Sequence, residues 1–275
     1  MENRTISSSG RVHIVGAGPG DPELLTLRAA RLIGEADAIV YDRLVCTEIL
    51  ELCPPGCRQI FAGKSPGNHT MSQSEINRLL IDLARGGLSV VRLKGGDPFI
   101  FGRGGEEAQA LADAGIPFEI VPGVTSAAAA PAYAGIPVTH RGLASTATFV
   151  TAHEDPAKLE TSVDYAHLAA SGGTLVFMMG ARSVGRISRE LLKHGMASET
   201  PVAIVENATT SRQRTLRCTL GEAPSFAERE EVSPPAIVVV GAVASLADDL
   251  AWFHPEKGQA LPWHRLQTQA LLESI

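Results

Sequence analysis

The chain has 275 residues, of which 24 are Lys or Arg and 30 are Asp or Glu, so its formal net charge is −6. Divided after His140, each half carries 12 basic and 15 acidic residues and therefore a net charge of −3. Neither half has the positive surplus that a phosphate backbone requires, which argues against a nucleic-acid partner. Hydrophobic residues make up 44% of the chain, enough for one large or two modest domains.

Glycine and proline are abundant, at 27 and 17 residues, whereas aromatic residues make up 5%. This composition is typical of an α/β protein with tight turns between strands and helices. No apolar run reaches the roughly 20 residues of a membrane span, and the first ten residues lack the apolar region of a secretory signal. Four cysteines do not suggest a disulfide framework, so we expect a cytoplasmic protein without a membrane partner.

The spacing of apolar residues predicts alternating strands and helices. In the first half, strands are predicted at 12–16, 38–41, 89–93 and 118–121, and helices at 21–34, 72–85, 105–114 and from 126. Ser72 with Glu75 three residues later indicates a capping box at one helix start. In the second half, strands are predicted at 146–151, 175–179, 202–205, 214–219 and 236–240, and helices at 184–194 and 246–253. Such alternation predicts parallel or mixed sheets covered on both faces.

The segment 134–138 reads as a hinge between two halves of similar pattern. We therefore predict an N-terminal extension at 1–10, an N-terminal α/β domain at 11–137, a C-terminal α/β domain at 138–255 and a tail at 256–275.

Ligands of open α/β sheets bind beyond the carboxyl ends of the strands, so the loops at those ends carry the functional information. The first loop, Gly16-Ala-Gly-Pro-Gly-Asp21, imitates a dinucleotide-binding fingerprint, but Asp21 stands where the third glycine belongs. A carboxylate at this helix start repels pyrophosphate, and Pro22 removes an N–H donor. A nicotinamide cofactor is therefore disfavoured.

The segment from Lys94 to Glu106 is the strongest candidate site. Two glycines directly after a strand allow a ligand to approach the main chain, and Asp97 and Arg103 follow close by. In the loop at 122–126, Thr125 and Ser126 precede another helix. One hydroxyl is explained by helix capping, and a ligand contact by the second remains open.

Metal binding is not predicted. The eight histidines are scattered, and Cys53 and Cys57 form a pair without a second pair downstream, unlike a zinc site. These two cysteines are either buried thiols or a redox pair.

Five segments together resemble the tetrapyrrole methylases. They are Val15-Gly-Ala-Gly-Pro-Gly-Asp-Pro-Glu-Leu-Leu-Thr-Leu27, Val40-Tyr-Asp-Arg-Leu-Val45, Arg92-Leu-Lys-Gly-Gly-Asp-Pro-Phe-Ile-Phe-Gly-Arg-Gly-Gly-Glu-Glu107, Val121-Pro-Gly-Val-Thr-Ser-Ala127 and Ala134-Gly-Ile-Pro-Val-Thr-His-Arg-Gly142. The resemblance extends from about residue 11 to residue 255. It implies two α/β domains with S-adenosylmethionine in the cleft between them, in a homodimer. The implied reaction methylates uroporphyrinogen III at carbons 2 and 7, giving precorrin-2 by way of precorrin-1 and leaving S-adenosylhomocysteine.

The resemblance also implies roles for individual residues. Those implied to contact the methyl donor are Pro19, Gly95, Gly96, Asp97, Ile100, Thr125, Ser126, Met179 and Ala208. Those implied to do acid–base work are Asp42 and Lys64. Those matching substrate-side positions are Arg103, Glu106, Arg141 and Met178. Arg43 joins Arg103 and Arg141 as a cation at a strand end or at the hinge that could clamp substrate carboxylates.

Transfer to a pyrrole carbon requires alignment of the reacting atoms and then loss of a ring proton. A guanidinium, whose pKa exceeds about 12, is a poor base, so Arg103 is expected to position the substrate and Asp42 to be the more natural base. Alternatives within the fold are a later precorrin methylase, a ribosomal RNA methylase and a catalytically silent tetrapyrrole-binding module. The negative charge argues against RNA, and the presence of Arg103 and Asp97 argues against a silent module. Sirohaem, cobalamin and haem d1 synthesis all branch from the implied product.

Overall fold

The computed structural model describes residues 10–63, 71–152 and 161–255. It divides into two compact units, the first extending to Thr125 and the second beginning at Ser126. Each unit is built around a five-stranded sheet with helices, which confirms the predicted pair of α/β domains. The division lies ahead of the predicted hinge at 134–138, because the helix that begins at Ser126 packs against strands of the second sheet.

The sheet of the first unit is entirely parallel. Its strands are β1 (Arg11–Gly16), β2 (Ala38–Tyr41), β3 (Arg58–Phe61), β4 (Ser89–Lys94) and β5 (Phe118–Val121), in the order β3-β2-β4-β1-β5. Its helices are α1 (Leu27–Gly34), α2 (Gln73–Arg85) and α3 (Gly104–Asp113). The loops after β1, β2, β4 and β5 therefore all leave the same edge of the sheet.

Alternate side chains of these strands enter two separate hydrophobic cores. Val12 and Ile14 pack with Leu80 of α2 and with α3, whereas Val15 packs with Ile33 of α1. Both faces of the sheet are thus covered, which explains why the strands read as nearly continuous apolar runs.

The second unit has a mixed sheet. Its helices are α4 (Ser126–Tyr133), α5 (Tyr165–Ala170), α6 (Val184–Lys193), α7 (Ala223–Arg229) and α8 (Ala247–Leu250). Its strands are β6 (Ala147–Thr151), β7 (Thr174–Met178), β8 (Pro201–Glu206), β9 (Arg214–Thr219) and β10 (Ala236–Val240), in the order β6-β7-β10-β8-β9. Because β10 is antiparallel to both β7 and β8, the carboxyl ends of β7 and β8 lie at one edge. Across the described ranges, no helix is both long and apolar enough to span a membrane.

Local capping explains where the element predictions succeed and fail. The capping box is confirmed, since Ser72 Oγ accepts from the Glu75 amide and Glu75 Oε2 accepts from the Ser72 amide. The single helix predicted at 21–34 is wrong, because Thr26 caps α1 separately from the short 3-10 turn Pro22–Leu24. The helix predicted at 246–253 is shortened to α8, and β3, α5 and α7 were not predicted.

Three loops of the first unit contact one another through bare main chain. A Cβ on Gly123 would lie 2.3 Å from the Gly96 carbonyl oxygen and 2.7 Å from Gly16 Cα. A Cβ on Gly16 would likewise lie 2.6 Å from Gly123 Cα. Glycine is therefore required where the loops after β1, β4 and β5 meet, because backbone atoms leave no room for a side chain.

We expect Gly123→Ala to lower the free energy of unfolding by about 2 kcal/mol, since the overpacked atoms belong to backbone that cannot rotate away. Urea unfolding measures the change. Gly105→Ala is the matched control, because a Cβ at Gly105 of α3 meets nothing within 4 Å. Equal stability of the two variants would show that the loops can separate freely.

Candidate active site

The loops after β1 and β4 form a short antiparallel bridge. The Ala17 amide donates to the Lys94 carbonyl at 2.7 Å, and Gly18 and Gly96 exchange hydrogen bonds of 3.2 and 2.6 Å. Pro19, adjacent to Gly18, is thereby brought beside Gly95 and Gly96. Three residues predicted to contact a methyl donor thus share one edge of the first sheet.

Asp97 ties this pair of loops to a third. Its Oδ1 accepts from the Phe99 amide at 2.8 Å, and its Oδ2 accepts from the Gly123 amide at 3.1 Å. Ile100 follows in the same turn, with its amide on the Asp97 carbonyl. Because both carboxylate oxygens already have partners within the protein, we expect Asp97 to contact a ligand through its main chain. The loop after β5 continues from Gly123 to Thr125 at the end of the unit.

Arg103 and Glu106 are exposed and pair with each other. Nε of Arg103 donates to Glu106 Oε1 at 2.7 Å and its Nη2 donates to Oε2 at 2.8 Å. The hydrogen bond raises the pKa of Arg103 and lowers the pKa of Glu106. Exposed pairs are worth at most about 1 kcal/mol, so a ligand carboxylate can displace Glu106 at little cost.

Asp42 follows β2 and is held by cations of β4, which sequence reasoning did not foresee. Arg92 Nη2 donates to Asp42 Oδ1 at 2.8 Å and to Oδ2 at 3.0 Å, and Lys94 Nζ lies 3.8 Å from Oδ2. The register of β2 on β4, which pairs Val40 with Arg92, brings these side chains together.

The same two cations converge on Glu107 of α3. Glu107 Oε1 accepts from Arg92 Nε at 3.0 Å, from Lys94 Nζ at 2.9 Å and from Gln73 Nε2 at 3.2 Å. Burial lowers the pKa of Lys94, and repulsion by Arg92 lowers it further, while Glu107 and Asp42 oppose both effects. The signal was present in the sequence, since Arg92 and Lys94 share one face of a buried parallel strand, where a charge needs a partner.

In the second unit, two predicted residues flank the start of β10. Met179, after β7, precedes Gly180, whose amide donates to the Ala236 carbonyl, and Ala208 follows Asn207, whose amide donates to the Pro235 carbonyl. Met178 is buried at the end of β7, whereas Met179 is 47% exposed. Ser126 is the first residue of α4, and Arg141 is exposed in the turn closed by His140 and Ala144.

Unfavourable backbone conformations concentrate in these loops. Six non-glycine residues of the described ranges have positive φ, and five of them lie in the loops after β4, β7 and β8. They are Phe101, Arg103, Met179, Asn207 and Thr209. Strain of this kind persists where surrounding structure enforces it, which is typical of functional sites.

Exposed apolar side chains accompany the exposed arginines of the first unit. Gly95 packs against Leu44, and Gly63 packs against both Phe61 and the main chain of Arg43. Large apolar residues with exposed side chains here are Leu44, Phe61, Phe99 and Phe101. Leu44 adjoins the exposed Arg43, and Phe99 and Phe101 share a loop with the exposed Arg103.

Three further sequence predictions concern Lys64, metal binding and the cysteine pair. Lys64 lies outside the described residues. No cluster of metal-ligating side chains is found where the chain is described. Cys53 and Cys57 are half-buried, and burial raises the pKa of both thiols, that of Cys53 to about 11.

The comparisons with known proteins agree with this geometry. Residues 11–224 match the family described as Tetrapyrrole (Corrin/Porphyrin) Methylases. A Methanosarcina barkeri protein named S-adenosyl-L-methionine-dependent uroporphyrinogen III methyltransferase is 54% identical over 241 residues, covering 88% of this chain and 94% of that protein.

Longer proteins and a solved structure also match. A siroheme synthase of Pseudomonas entomophila is 49% identical over 92% of this chain, but the chain spans 54% of that protein, about half its length. The crystal structure of a uroporphyrin-III C-methyl transferase from Thermus thermophilus, complexed with S-adenyl homocysteine, has a TM-score of 0.72 and 43% identity, covering 85% of this chain and 93% of that chain.

The turn that carries Ala208 is anchored by a buried carboxylate. Glu206 Oε1 accepts from the Ser233 amide at 2.5 Å, and its Oε2 accepts from Arg214 Nε at 2.5 Å. Burial by itself raises the pKa of Glu206, but the hydrogen bonds from Arg214 and Ser233 outweigh it and lower the pKa below its usual value.

We expect Glu206→Gln to lower the free energy of unfolding at pH 7 by about 2 kcal/mol, the value of hydrogen bonds to a charged group. Because the pKa of Glu206 is lower in the folded protein than in the unfolded chain, its ionised carboxylate stabilises the folded state at pH values above the unfolded pKa of about 4.3. This stabilisation is lost as the pH falls through the pKa of the folded state. Denaturant unfolding between pH 3 and 7 should therefore show the deficit shrinking with acid. Glu228→Gln, at an exposed position, is the control. A deficit independent of pH would refute the assigned charge state.

Proposed function

This chain belongs to the tetrapyrrole methylase family, and we propose that it is an enzyme that transfers methyl groups from S-adenosylmethionine to uroporphyrinogen III. The observation that carries the proposal is the convergence, at one edge of the first sheet, of glycine main chain, the Asp42 carboxylate and the exposed Arg103. The name of the Methanosarcina relative, which this chain matches over nearly its whole length, supports the same substrate and methyl donor.

The reaction takes place twice, at carbons 2 and 7, and yields precorrin-2 with precorrin-1 as the singly methylated compound. Both target atoms are electron-rich pyrrole carbons, so one constellation of residues serves both transfers if the first product binds again in a turned position.

The residues of the first unit suit S-adenosylmethionine. The half-buried Gly95, Gly96 and Asp97 present main chain where a side chain would block a ligand, and Pro19 lies beside them. When bound, S-adenosylmethionine supplies an electrophilic methyl group on a positively charged sulfur. We propose that Ile100, Thr125, Ser126, Met179 and Ala208 complete its binding site.

The residues of the chain then have two tasks in catalysis, which are to align the reacting atoms and to accept the proton that the ring loses. Holding the pyrrole carbon in line with the methyl group supplies much of the rate, as in other reactions that convert a bimolecular step into a positioned one. The ring must afterwards lose a proton, and we propose that Asp42, whose carboxylate follows β2, accepts it. Lys64 is proposed as its acid–base counterpart.

The substrate is a macrocycle with apolar faces and eight carboxylates at its rim. Exposed Phe99 and Phe101 offer apolar contact, while Arg103 offers a fork for one carboxylate after Glu106 is displaced. Arg43, Arg141 and Met178 are proposed to complete the substrate contacts. A few arginines at loop ends are compatible with a net charge of −6, because the anion is small and localised.

Methyl transfer is the whole of the proposed activity. The chain spans about half of the siroheme synthase it matches, so no further reaction of that protein is assigned. The downstream branch among sirohaem, cobalamin and haem d1, the homodimer, the cytoplasmic location and the lack of nucleic-acid and membrane partners stay predictions.

We expect the purified protein, mixed anaerobically with S-adenosylmethionine and enzymatically prepared uroporphyrinogen III, to incorporate two methyl groups per macrocycle. Mass spectrometry of the product counts them, and NMR of material from isotopically labelled donor locates them. Absence of transfer under conditions in which the donor binds would reject the proposed function. A single methyl group, or methylation at other carbons, would reject the assignment to carbons 2 and 7.

Arg103→Lys keeps the charge but loses the planar fork that grips a carboxylate. We expect turnover to fall about tenfold or more, which corresponds to about 1.4 kcal/mol of lost transition-state stabilisation. The dissociation constant of S-adenosylmethionine, measured by calorimetry, should stay within about twofold, a change of about 0.4 kcal/mol.

Arg229→Lys is the control for this substitution, because Arg229 is an exposed arginine that pairs with a neighbouring glutamate in the second unit. Its turnover should match that of the unmodified protein. Unchanged turnover in Arg103→Lys would reduce Arg103 to a solvent-exposed loop residue.

A further inference from the structure

We propose that Glu107, together with Arg92 and Lys94, is a buried positioning cluster that orients the Asp42 carboxylate for proton removal from the substrate. Neither the family resemblance nor the names of relatives assign these three residues a role. The inference rests on the proposed function, because Asp42 needs a substrate to act on.

Within the cluster, Arg92 and Lys94 link the buried Glu107 carboxylate to the Asp42 carboxylate. Arg92 uses Nη2 for both oxygens of Asp42 and Nε for Glu107 Oε1, so one rigid guanidinium spans the two carboxylates. Lys94 bridges the same pair, at 2.9 Å from Glu107 and 3.8 Å from Asp42. Any movement of Glu107 is therefore transmitted to the Asp42 carboxylate through two cations.

Burial separates the roles of the four residues. Glu107 is 0%, Arg92 1% and Lys94 4% exposed, so a ligand bound at the surface cannot contact their charged groups. The Asp42 side chain is 29% exposed and is the member of the cluster that faces outward. The buried residues can thus influence a reaction only through Asp42.

Stability alone is a poor explanation for this arrangement. Two cations and two carboxylates balance in charge, yet taking the three buried charges out of water is costly, and apolar side chains often fill such sites with equal or greater stability. Moreover, Glu107 Oε2 is buried without a hydrogen-bond partner among the described residues. An unpaired carboxylate oxygen costs stability, so the cluster is not optimised for folding.

The charge of Lys94 depends on the two carboxylates of the cluster, as its lowered pKa indicates. Burial and the neighbouring Arg92 disfavour its charge, and Glu107 and Asp42 restore it. If Glu107 is neutralised, Asp42 is the only carboxylate left to Arg92 and Lys94, so both cations shift toward it and the orientation of its carboxylate changes.

The test is a double-mutant cycle in the full chain between Glu107→Gln and Asp42→Asn, with methyl transfer to uroporphyrinogen III as the readout. We expect Glu107→Gln to lower kcat at least about tenfold. This loss is a part of the about 10²- to 10⁴-fold that a positioned acid or base contributes to the rate. KM and the dissociation constant of S-adenosylmethionine should stay within about threefold, because Glu107 is too deeply buried to touch either ligand. In the Asp42→Asn background, the same substitution should change kcat less than about twofold, since its target is already gone.

Glu119→Gln is the matched control. Glu119 also pairs with two side chains, His13 and Arg28, but it lies near the start of β5, away from the carboxyl edge of the sheet. Its kcat should equal that of the unmodified protein.

If Glu107→Gln does not fold, as judged by circular dichroism and gel filtration, Arg92→Lys replaces it in the cycle. Lysine keeps the charge but cannot reach both carboxylates, so a positioning role still predicts a lower kcat with unchanged KM.

The outcomes separate the two proposals. An unmodified protein without methyl transfer overturns the proposed function and this inference with it. Methyl transfer that is unaffected by Glu107→Gln, or equal losses of kcat in both backgrounds of the cycle, overturns the inference alone.

Discussion

Two positive charges, those of Arg92 and Lys94, lie on the buried face of β4, the central strand of the first sheet. Charges in such a place require carboxylates, and these come from the end of β2 and from the first turn of α3. The pairing ties α3 to the sheet, and α3 begins directly after Arg103. The exposed Arg103–Glu106 pair thus stands at the start of the helix that the buried charges hold, and the outward Asp42 carboxylate belongs to the same cluster.

The second constraint is the close approach of main chain at the same sheet edge. Gly16 and Gly123 leave no space for a Cβ, and Asp97 uses both carboxylate oxygens to hold the loops that meet there. The resulting surface presents backbone rather than side chains, which suits a ligand recognised through its polar groups at short range. Close packing of these loops also explains the strained residues within them. A positive φ such as that of Arg103 is unfavourable and persists only where the surrounding structure enforces it.

Most of the strands and the fold class followed from the sequence, because alternating burial on two faces and short caps are local properties. The capping box at Ser72 is an example, since it needs only residues three positions apart. The helix predicted at 21–34 failed because Thr26 offers a second cap within an otherwise continuous apolar pattern. Glycine loops, Asp42 and Arg103 were recognised as candidate residues, but the partners of Asp42 were missed, since Arg92 lies 50 positions away.

The sequence by itself determined two α/β units, the glycine-rich loops at the carboxyl ends of their strands and a net charge of −6. Those properties depend on composition, periodicity and short spacing, which need no knowledge of what lies across the sheet. Three features were decided only by the tertiary structure. Arg92 donates to both oxygens of Asp42, Asp97 accepts main-chain hydrogen bonds with both of its carboxylate oxygens, and the buried Glu107 accepts from Arg92 and Lys94. The reason is the register of parallel strands, which places residues from distant parts of the chain within hydrogen-bonding distance. Local sequence indicates that the charges of Arg92 and Lys94 need partners, but it does not indicate which residues supply them.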